Sequence, residues 1–169
     1  MDAIDRYIER PSDPTVRSFK RRLNHVAEEE LELVDRSGTP ERAVVAAEEQ
    51  LGVTLPPSYR KLVTTTDPRD KEYGLYWVYV EGLDTYGQDI VGVNQGFHDD
   101  YAPHFLIAVL GTDEGDEYCF DTRHPDERGE YPIVLWNHES CGLESTEFEI
   151  QSRDLGEFLL GSLGGESQS

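Results

Sequence analysis

The sequence predicts an α+β domain with a mixed, mainly antiparallel sheet of about five or six strands, packed against N-terminal helices and a C-terminal helix. Apolar residues recur at a helical spacing in the first third of the chain and again near its end. Between these regions lie short runs rich in aromatic and β-branched residues, which are typical of strands. The connection GTDEGD between FLIAVL and EYCFD is too short for a crossover helix, so we expect antiparallel pairing.

Three helices are predicted ahead of the strands. The first begins with Asp13 as its N-cap and has an apolar stripe up to Val26. The segment ELELV that follows could extend this helix or form a short extended piece. The second has Thr39 as N-cap and Pro40 as its first helical residue, and it ends at Gly52, which suits the left-handed conformation. The third begins at the Pro-Pro pair that follows, because proline favours a first helical turn. The predicted buried positions of the last two helices are Val44, Ala47, Leu51, Tyr59, Leu62 and Val63.

Strands are predicted in the runs LYWVYVEGL, DIVGV, HFLIAVLG, EYCFD and YPIVLW. Alternation in EYCFD puts Tyr118 and Phe120 on one face of the sheet and Cys119 on the other. A closing helix follows, with Asp154 as N-cap and Glu157 at capping-box spacing.

The net charge restricts the class of partner. The chain carries 35 Asp and Glu residues against 15 Lys and Arg residues, which gives a formal net charge of −20 at pH 7. Such a charge repels nucleic acid and anionic lipid, so it argues against direct binding to DNA, RNA or membranes, and it attracts basic proteins. Adaptation to high salt would produce the same acidity, and the scarcity of lysine fits that explanation equally well.

Length and composition predict one domain over residues 1–163, followed by a disordered polar tail over residues 164–169. No apolar run approaches the roughly 20 residues of a membrane span, and the acidic N-terminus lacks the pattern of a signal peptide. We therefore expect a cytoplasmic protein, and a monomer. Cys119 and Cys141 are expected to be free thiols, with a disulfide between them left open.

Four segments then occur in a distinctive order: AAEEQLGVTLPPSYRKLV, IAVLGTDEGDEYCFDT, GEYPIVLWNHE and DLGEFL. Over about residues 40–160, this order resembles the SUKH superfamily. The resemblance implies an α+β domain with a mainly antiparallel sheet and no catalytic residues. Many bacterial members are thought to be immunity proteins that bind and neutralise a cognate polymorphic toxin, often a nuclease. A fungal branch is linked to cell-wall regulation as a protein-interaction module.

The acidic stretch GTDEGDEYCFD is also a candidate for a metal loop or a pair of catalytic acids. A calcium loop of the EF-hand type starting at Asp113 requires glycine at position 118, where this chain has Tyr118. Catalytic acids need burial, whereas a turn between strands is usually solvated. We expect Gly115 to allow a hairpin turn, and we expect the acidic side chains around it to lie in solvent.

The histidines give no recognisable catalytic or metal motif. The segment HESCG has Gly142 where a zinc protease needs its second histidine, so we expect His138 to be a structural hydrogen-bonding residue at a strand end. The group from His98 to His104 has no metal-ligand spacing and is predicted to be a loop. The sequence therefore predicts no catalytic residue, no metal site and no cofactor.

What remains is recognition of a protein partner. Carboxylates in the hairpin would attract a basic partner, and aromatic side chains would anchor it. The predicted partner-binding residues are Asp113, Glu114, Asp116, Glu117, Tyr76, Trp77 and Tyr86.

We therefore predict a non-catalytic, cytoplasmic protein-binding domain, and the resemblance indicates an immunity protein against a cognate, basic toxin such as a nuclease. An alternative is an intracellular scaffold or regulatory interaction module of the same fold. A more distant alternative is a metal-dependent hydrolase that uses the acidic hairpin.

Overall fold

The computed structural model describes residues 2–9, 40–65, 75–77, 90–112 and 114–162. Five helices and five strands lie in these ranges. In chain order they are α1 (Ala3–Ile8), α2 (Glu41–Leu51), α3 (Pro57–Thr65), β1 (Leu75–Trp77), α4 (Ile90–Asp100), β2 (Leu106–Thr112), β3 (Glu117–Asp121), β4 (Ile133–Trp136), β5 (Glu149–Ser152) and α5 (Leu155–Ser162). The predicted helix over 13–26 and the predicted tail over 164–169 lie outside the described residues.

The five strands form one sheet in the order β1-β2-β3-β4-β5. Every pairing among the described strands is antiparallel, and each strand lies beside its neighbour in sequence. The predicted α+β class and the mainly antiparallel sheet are therefore confirmed, with the strand number at the lower end of the expected range. Strand β2 is buried along six of its seven residues, as expected for a strand covered on both faces.

One face of the sheet carries the larger hydrophobic cluster, to which all five helices contribute. Tyr59 on α3 meets Phe120 on β3 edge to face, with ring centroids 5.9 Å apart. Tyr118 on the same strand lies 4.8 Å from the ring of Phe158 on α5. The prediction that Tyr118 and Phe120 share a face is confirmed. The predicted inner residues of α2 and α3 also belong to this cluster or pack against it.

The opposite face carries a second cluster, which consists of Phe97, Ala102, Leu106, Ala108, Cys119, Val134 and Trp136. Cys119 therefore points away from Tyr118 and Phe120, as predicted. Cys141 packs against the same cluster, and both cysteines are free thiols. Burial raises the pKa of the Cys119 thiol well above its usual value, which keeps it protonated at neutral pH.

The run DIVGV was wrongly predicted to be a strand, because its last four residues begin helix α4. The buried residues of α4 are Ile90, Val91, Asn94, Phe97 and His98, which is a helical spacing that continues past the valines. Asn94 explains why this helix holds against the sheet. Its side chain accepts from the backbone nitrogen of Ala108 at 2.7 Å and donates to the carbonyl of the same residue at 3.1 Å.

The predicted loop from His98 to His104 is also partly wrong, because residues 98–100 form the last turn of α4. The Nε2 atom of His98 donates to the carbonyl of Leu106, 2.6 Å away, at the start of β2. Burial lowers the pKa of His98, so this ring is neutral and structural. The His98 and His104 rings lie 4.8 Å apart, but His98 uses its Nε2 for the backbone.

Local signals placed most helix ends correctly. Gly52 is left-handed, with φ of 72°, and its N–H bonds to the carbonyl of Glu48. Asp154 caps α5, because its Oδ1 accepts from the backbone nitrogen of Glu157 at 2.8 Å. The start of α2 differs from the prediction by one residue: Pro40 has extended backbone angles and is itself the N-cap. Its fixed φ fits both positions, so the sequence did not distinguish them.

Two elements were not predicted, and one of them completes the core. Strand β5 has only four residues, and its run EIQS is too polar to be recognised as a strand. Helix α1 packs against α5 and places Ile4 and Tyr7 in the larger cluster. This close approach depends on Gly156 in α5. A Cβ atom there would lie 2.7 Å from the backbone nitrogen of Ile4.

Replacing Gly156 by alanine should therefore push α1 away from α5. We expect Gly156→Ala to lower the free energy of unfolding by about 1–3 kcal/mol, because overpacking forces a backbone shift. Gly96→Ala is the matched control. A Cβ at Gly96 meets no described atom within 4 Å outside its own helix and neighbours, so this change should stabilise by about 0.5–1 kcal/mol. Urea unfolding of both variants measures the difference, and equal shifts would contradict the role of Gly156.

Candidate functional site

The hairpin between β2 and β3 is built by its own backbone. Thr112 closes the turn twice, since its N–H donates to the carbonyl of Asp116 at 3.0 Å and its hydroxyl accepts from the N–H of Asp116 at 3.2 Å. Gly115 has φ of 94°, a value that glycine adopts without strain, so the prediction of a glycine turn is confirmed. Glu114 is exposed beside it, and Asp113 lies outside the described residues.

Asp116 does not lie free in solvent, so that part of the prediction is wrong. Its side chain is only 15% exposed, and Oδ1 accepts from both the backbone nitrogen and Nδ1 of His138, at 3.0 and 2.7 Å. This pair connects the tip of the hairpin to the turn after β4, 22 residues further along the chain. His138 is therefore the structural hydrogen-bonding residue that was predicted.

The pair shifts both titrations in the direction that favours the charged forms. The hydrogen bond to Asp116 raises the pKa of His138, and the hydrogen bonds from His138 lower the pKa of Asp116. At pH values above the pKa of Asp116 and below that of His138, the two side chains form an ion pair. This ion pair holds the tip of the hairpin against the turn after β4.

The other predicted partner-binding residues lie in different positions. Glu117, at the start of β3, is partly buried. The prediction that its side chain lies in solvent is therefore also wrong. The backbone of Tyr76 pairs with Gly111, and that of Trp77 pairs with Leu110, which puts β1 beside the β2 arm of the hairpin. Tyr86 lies outside the described residues.

The strand register brings further acidic residues to the same end of the sheet. Glu117 pairs with Trp136 across β3 and β4, and Leu135 pairs with Glu149 across β4 and β5. The turn after β4 and the connection to β5 therefore lie at the end where the hairpin turns. We call this region the acidic end, and it consists of Glu114, Asp116, Glu117, Glu139, Glu144, Glu147 and Glu149.

Basic residues are absent from two long stretches of the sequence that contain the acidic end. No Lys or Arg occurs between Lys71 and Arg123, or between Arg128 and Arg153. Arg128 lies in the turn before β4 and Arg153 follows β5, so both belong to the opposite end of the sheet. Arg123 follows β3, but its guanidinium lies 6.0 Å from the ring of Phe148, which stands between Glu147 and Glu149 in sequence. The sequence analysis missed four of these acidic residues, because their proximity to the hairpin depends on register rather than on spacing along the chain. The uninterrupted lack of basic residues over 129–152 was the signal that pointed to them.

A second site with many charged groups is a cleft of about 280 Å³ at the opposite end of the sheet, where Arg128 and Arg153 lie. Several of its charged groups are paired within the fold. Ser58 donates to the Glu130 carboxylate from its backbone nitrogen at 2.8 Å and from its hydroxyl at 2.5 Å. Arg128 donates to Asp154 at 2.8 Å. Burial raises the pKa of Glu130, and the hydrogen bonds from Ser58 oppose that shift. These groups hold helix starts in place.

The described residues contain no group of three or more His, Cys, Asp or Glu side chains arranged to hold a metal ion. Among them, too, no helix is long and apolar enough to cross a membrane. The acidic end is therefore a charged surface beside the ends of β2, β3, β4 and β5. The ion pair between Asp116 and His138 holds it in place.

The ion pair predicts a pH dependence for the hairpin. Because the pKa of His138 is raised, its contribution to stability is full below about pH 6.5 and is lost as pH rises through the folded value. Because the pKa of Asp116 is lowered, its contribution is present above about pH 3.9 and is lost as pH falls through its folded value.

Nuclear magnetic resonance titration of the His138 ring measures this directly. In Asp116→Asn the pKa of His138 should fall toward its ordinary value. The amide chemical shifts of residues 114–117, which should change between pH 6 and 8 in the native chain, should then stay nearly constant over that range. Glu144→Gln removes a charge from the same end without touching the pair and should leave the titration nearly unchanged. An equal effect of both changes would mean that general charge, rather than this contact, sets the pKa.

Comparison with known proteins agrees with the fold and the order of its segments. A family model described as the SMI1 / KNR4 family (SUKH-1) matches residues 38–161, well over half of the chain. No curated protein matches the sequence. The family match supports, in general terms, a non-catalytic domain of the immunity type. The chain belongs to the SMI1 / KNR4 (SUKH-1) family.

Proposed function

We propose that this protein is an immunity protein that binds a cognate toxin with a basic surface and thereby keeps the toxin from its target. Family membership supports an immunity-like binding domain in general. The charge of the chain limits the class of partner, because a protein with a net charge of −20 attracts basic proteins and repels acidic ones. A nuclease fits this description, since an enzyme that holds nucleic acid needs positive charge in its binding site.

The separation of charge along the sheet is the observation that carries this proposal. Carboxylates gather where the β2–β3 hairpin turns, and Arg128 and Arg153 lie at the other end of the strands. Arg123 comes near Phe148, but its charge is paired with Asp121. A molecule with this distribution turns its acidic end toward a cationic partner during approach, which raises the rate of association. Salt adaptation alone gives no reason for carboxylates to gather at one end of the described sheet.

Inhibition of this kind needs no chemistry from the protein. A bound acidic end covers the cationic groups that the toxin uses for its own substrate, and the toxin is inactive for as long as the complex lasts. We propose that a monomer does this in the cytoplasm, with residues 1–163 as one domain. The hairpin residues predicted from the sequence, Asp113, Glu114, Asp116 and Glu117, would belong to the contact, with Asp116 acting through the ion pair that holds the hairpin.

Co-expression tests the function itself. If the product of the adjacent gene is a toxin, its expression should stop growth, and simultaneous expression of this protein should restore growth. The two proteins should also co-purify. Loss of both rescue and complex would overturn the proposal. Rescue without a complex would indicate a different mode of protection and would also overturn it.

Charge reversal tests the acidic end. We expect Glu114→Lys combined with Glu139→Lys to slow association with the toxin by about ten-fold or more at low salt, with a smaller effect on dissociation. The salt dependence of the association rate should weaken as well. Glu49→Lys combined with Glu127→Lys is the control, because these exposed residues lie outside the acidic end and the net charge changes equally. Stopped-flow measurements that give equal slowing for both pairs would show that only net charge matters.

A further inference from the structure

Exposed apolar side chains are concentrated beside the second cluster. In the part of the chain that the structure describes, four large hydrophobic residues are exposed: Val45, Tyr101, Leu143 and Ile150. Val45 lies alone on α2. The ring of Tyr101 lies 6.3 Å from that of Trp136, a member of the second cluster. Leu143 lies between Cys141 and Phe148, which both pack against that cluster.

Ile150 extends the same face to the edge of the described sheet. It is paired with Val134 of the second cluster, so its side chain lies on that side of β5. Phe148, two residues earlier, packs against the cluster, which agrees with this direction. Ile150 is nevertheless 69% exposed. Among the described strands β5 pairs with β4 alone, so it presents an apolar side chain next to a free strand edge.

The surroundings of these residues determine what can cover them. Glu144, Glu147 and Glu149 are all exposed and lie within three residues of Leu143 or Ile150 in sequence. Arg123 also reaches this face, 6.0 Å from the ring of Phe148, but its charge is paired with Asp121 at 2.8 Å. A second copy of this chain would bring the same carboxylates together, and nucleic acid or an anionic membrane would also be repelled. An apolar centre with an acidic rim fits a protein surface that is apolar in the middle and basic around it.

We infer that Tyr101, Leu143 and Ile150 form the apolar centre of the toxin-binding surface, on the second face of the sheet beside β5. This inference rests on the proposed function and adds the place where affinity arises. Exposed aromatic and aliphatic side chains that become fully buried in a complex slow its dissociation, whereas rim charges mainly set the association rate. The surface lies across the sheet from β1, where the sequence had suggested the anchors Tyr76 and Trp77.

The test compares variants that replace exposed apolar side chains by hydroxyl-bearing ones in different places. Leu143→Ser with Ile150→Thr removes apolar surface from the proposed centre, and threonine keeps the β-branched shape that suits a strand. Val45→Thr is the control, since Val45 is the exposed hydrophobic residue of α2. Because all three residues are exposed, thermal unfolding should be nearly the same as that of the native chain, which shows that each variant is folded.

Binding is measured with the purified product of the adjacent gene, in a form inactivated by mutation. The double variant should raise Kd by about ten-fold or more, mainly through faster dissociation. Val45→Thr should leave Kd unchanged, and the double variant should also reduce growth rescue.

Three results would overturn the inference, and each has a different meaning. Unchanged binding by the double variant, with binding by the native chain intact, would move the surface elsewhere and leave the proposed function standing. No binding by the native chain would remove the proposed function together with the surface. Sedimentation that detects a dimer of the native chain, lost in the double variant, would make a second copy the occupant.

Discussion

The position of helix α3 on the sheet depends on one buried carboxylate, that of Glu130. It lies in the connection between β3 and β4 and accepts two hydrogen bonds from Ser58, one of them from a backbone nitrogen in the first turn of α3 that has no partner within its own helix. The same connection contains Asp126, which accepts from the backbone of Arg128 and Glu130. Arg128 in turn binds Asp154, the N-cap of α5. One turn of the sheet thus fixes the starts of two helices.

This arrangement explains how so much charge can lie near the core. A buried carboxylate without donors would cost several kcal/mol, but Glu130 has two donors and faces the positive end of a helix. Tyr131 adds to the same junction by donating its hydroxyl to the carbonyl of Thr54 at 2.7 Å, just before α3. The polar residues of the β3–β4 connection therefore orient helices, whereas Glu114, Glu139 and Glu144 at the other end of the sheet are exposed.

Sequence analysis succeeded where structure is decided within a few residues. Gly52, Asp154 and Gly115 act through their own backbone or that of a near neighbour, so spacing was enough to predict their roles. It failed for α4, whose valines and isoleucine favour a strand, because Asn94 binds β2 fourteen residues away. Contacts across that distance override local propensity. The sequence could not predict for a similar reason that these acidic residues lie at one end of the sheet. The bond from His138 to Asp116 spans 22 residues, and β5 brings its glutamates there only through strand pairing.

Helix α1 lies outside the segment that the family model matches, but it contributes to the hydrophobic core. The family match begins at residue 38, yet Ile4 and Tyr7 are buried among the residues of α3, α5 and the sheet. A fragment trimmed to the matched segment would lack an aromatic ring and a branched aliphatic side chain from its interior. Losses of that size each cost about 2–5 kcal/mol in a packed core, a large part of the stability of an ordinary domain. We therefore expect a fragment that begins at residue 38 to be less stable than the full chain.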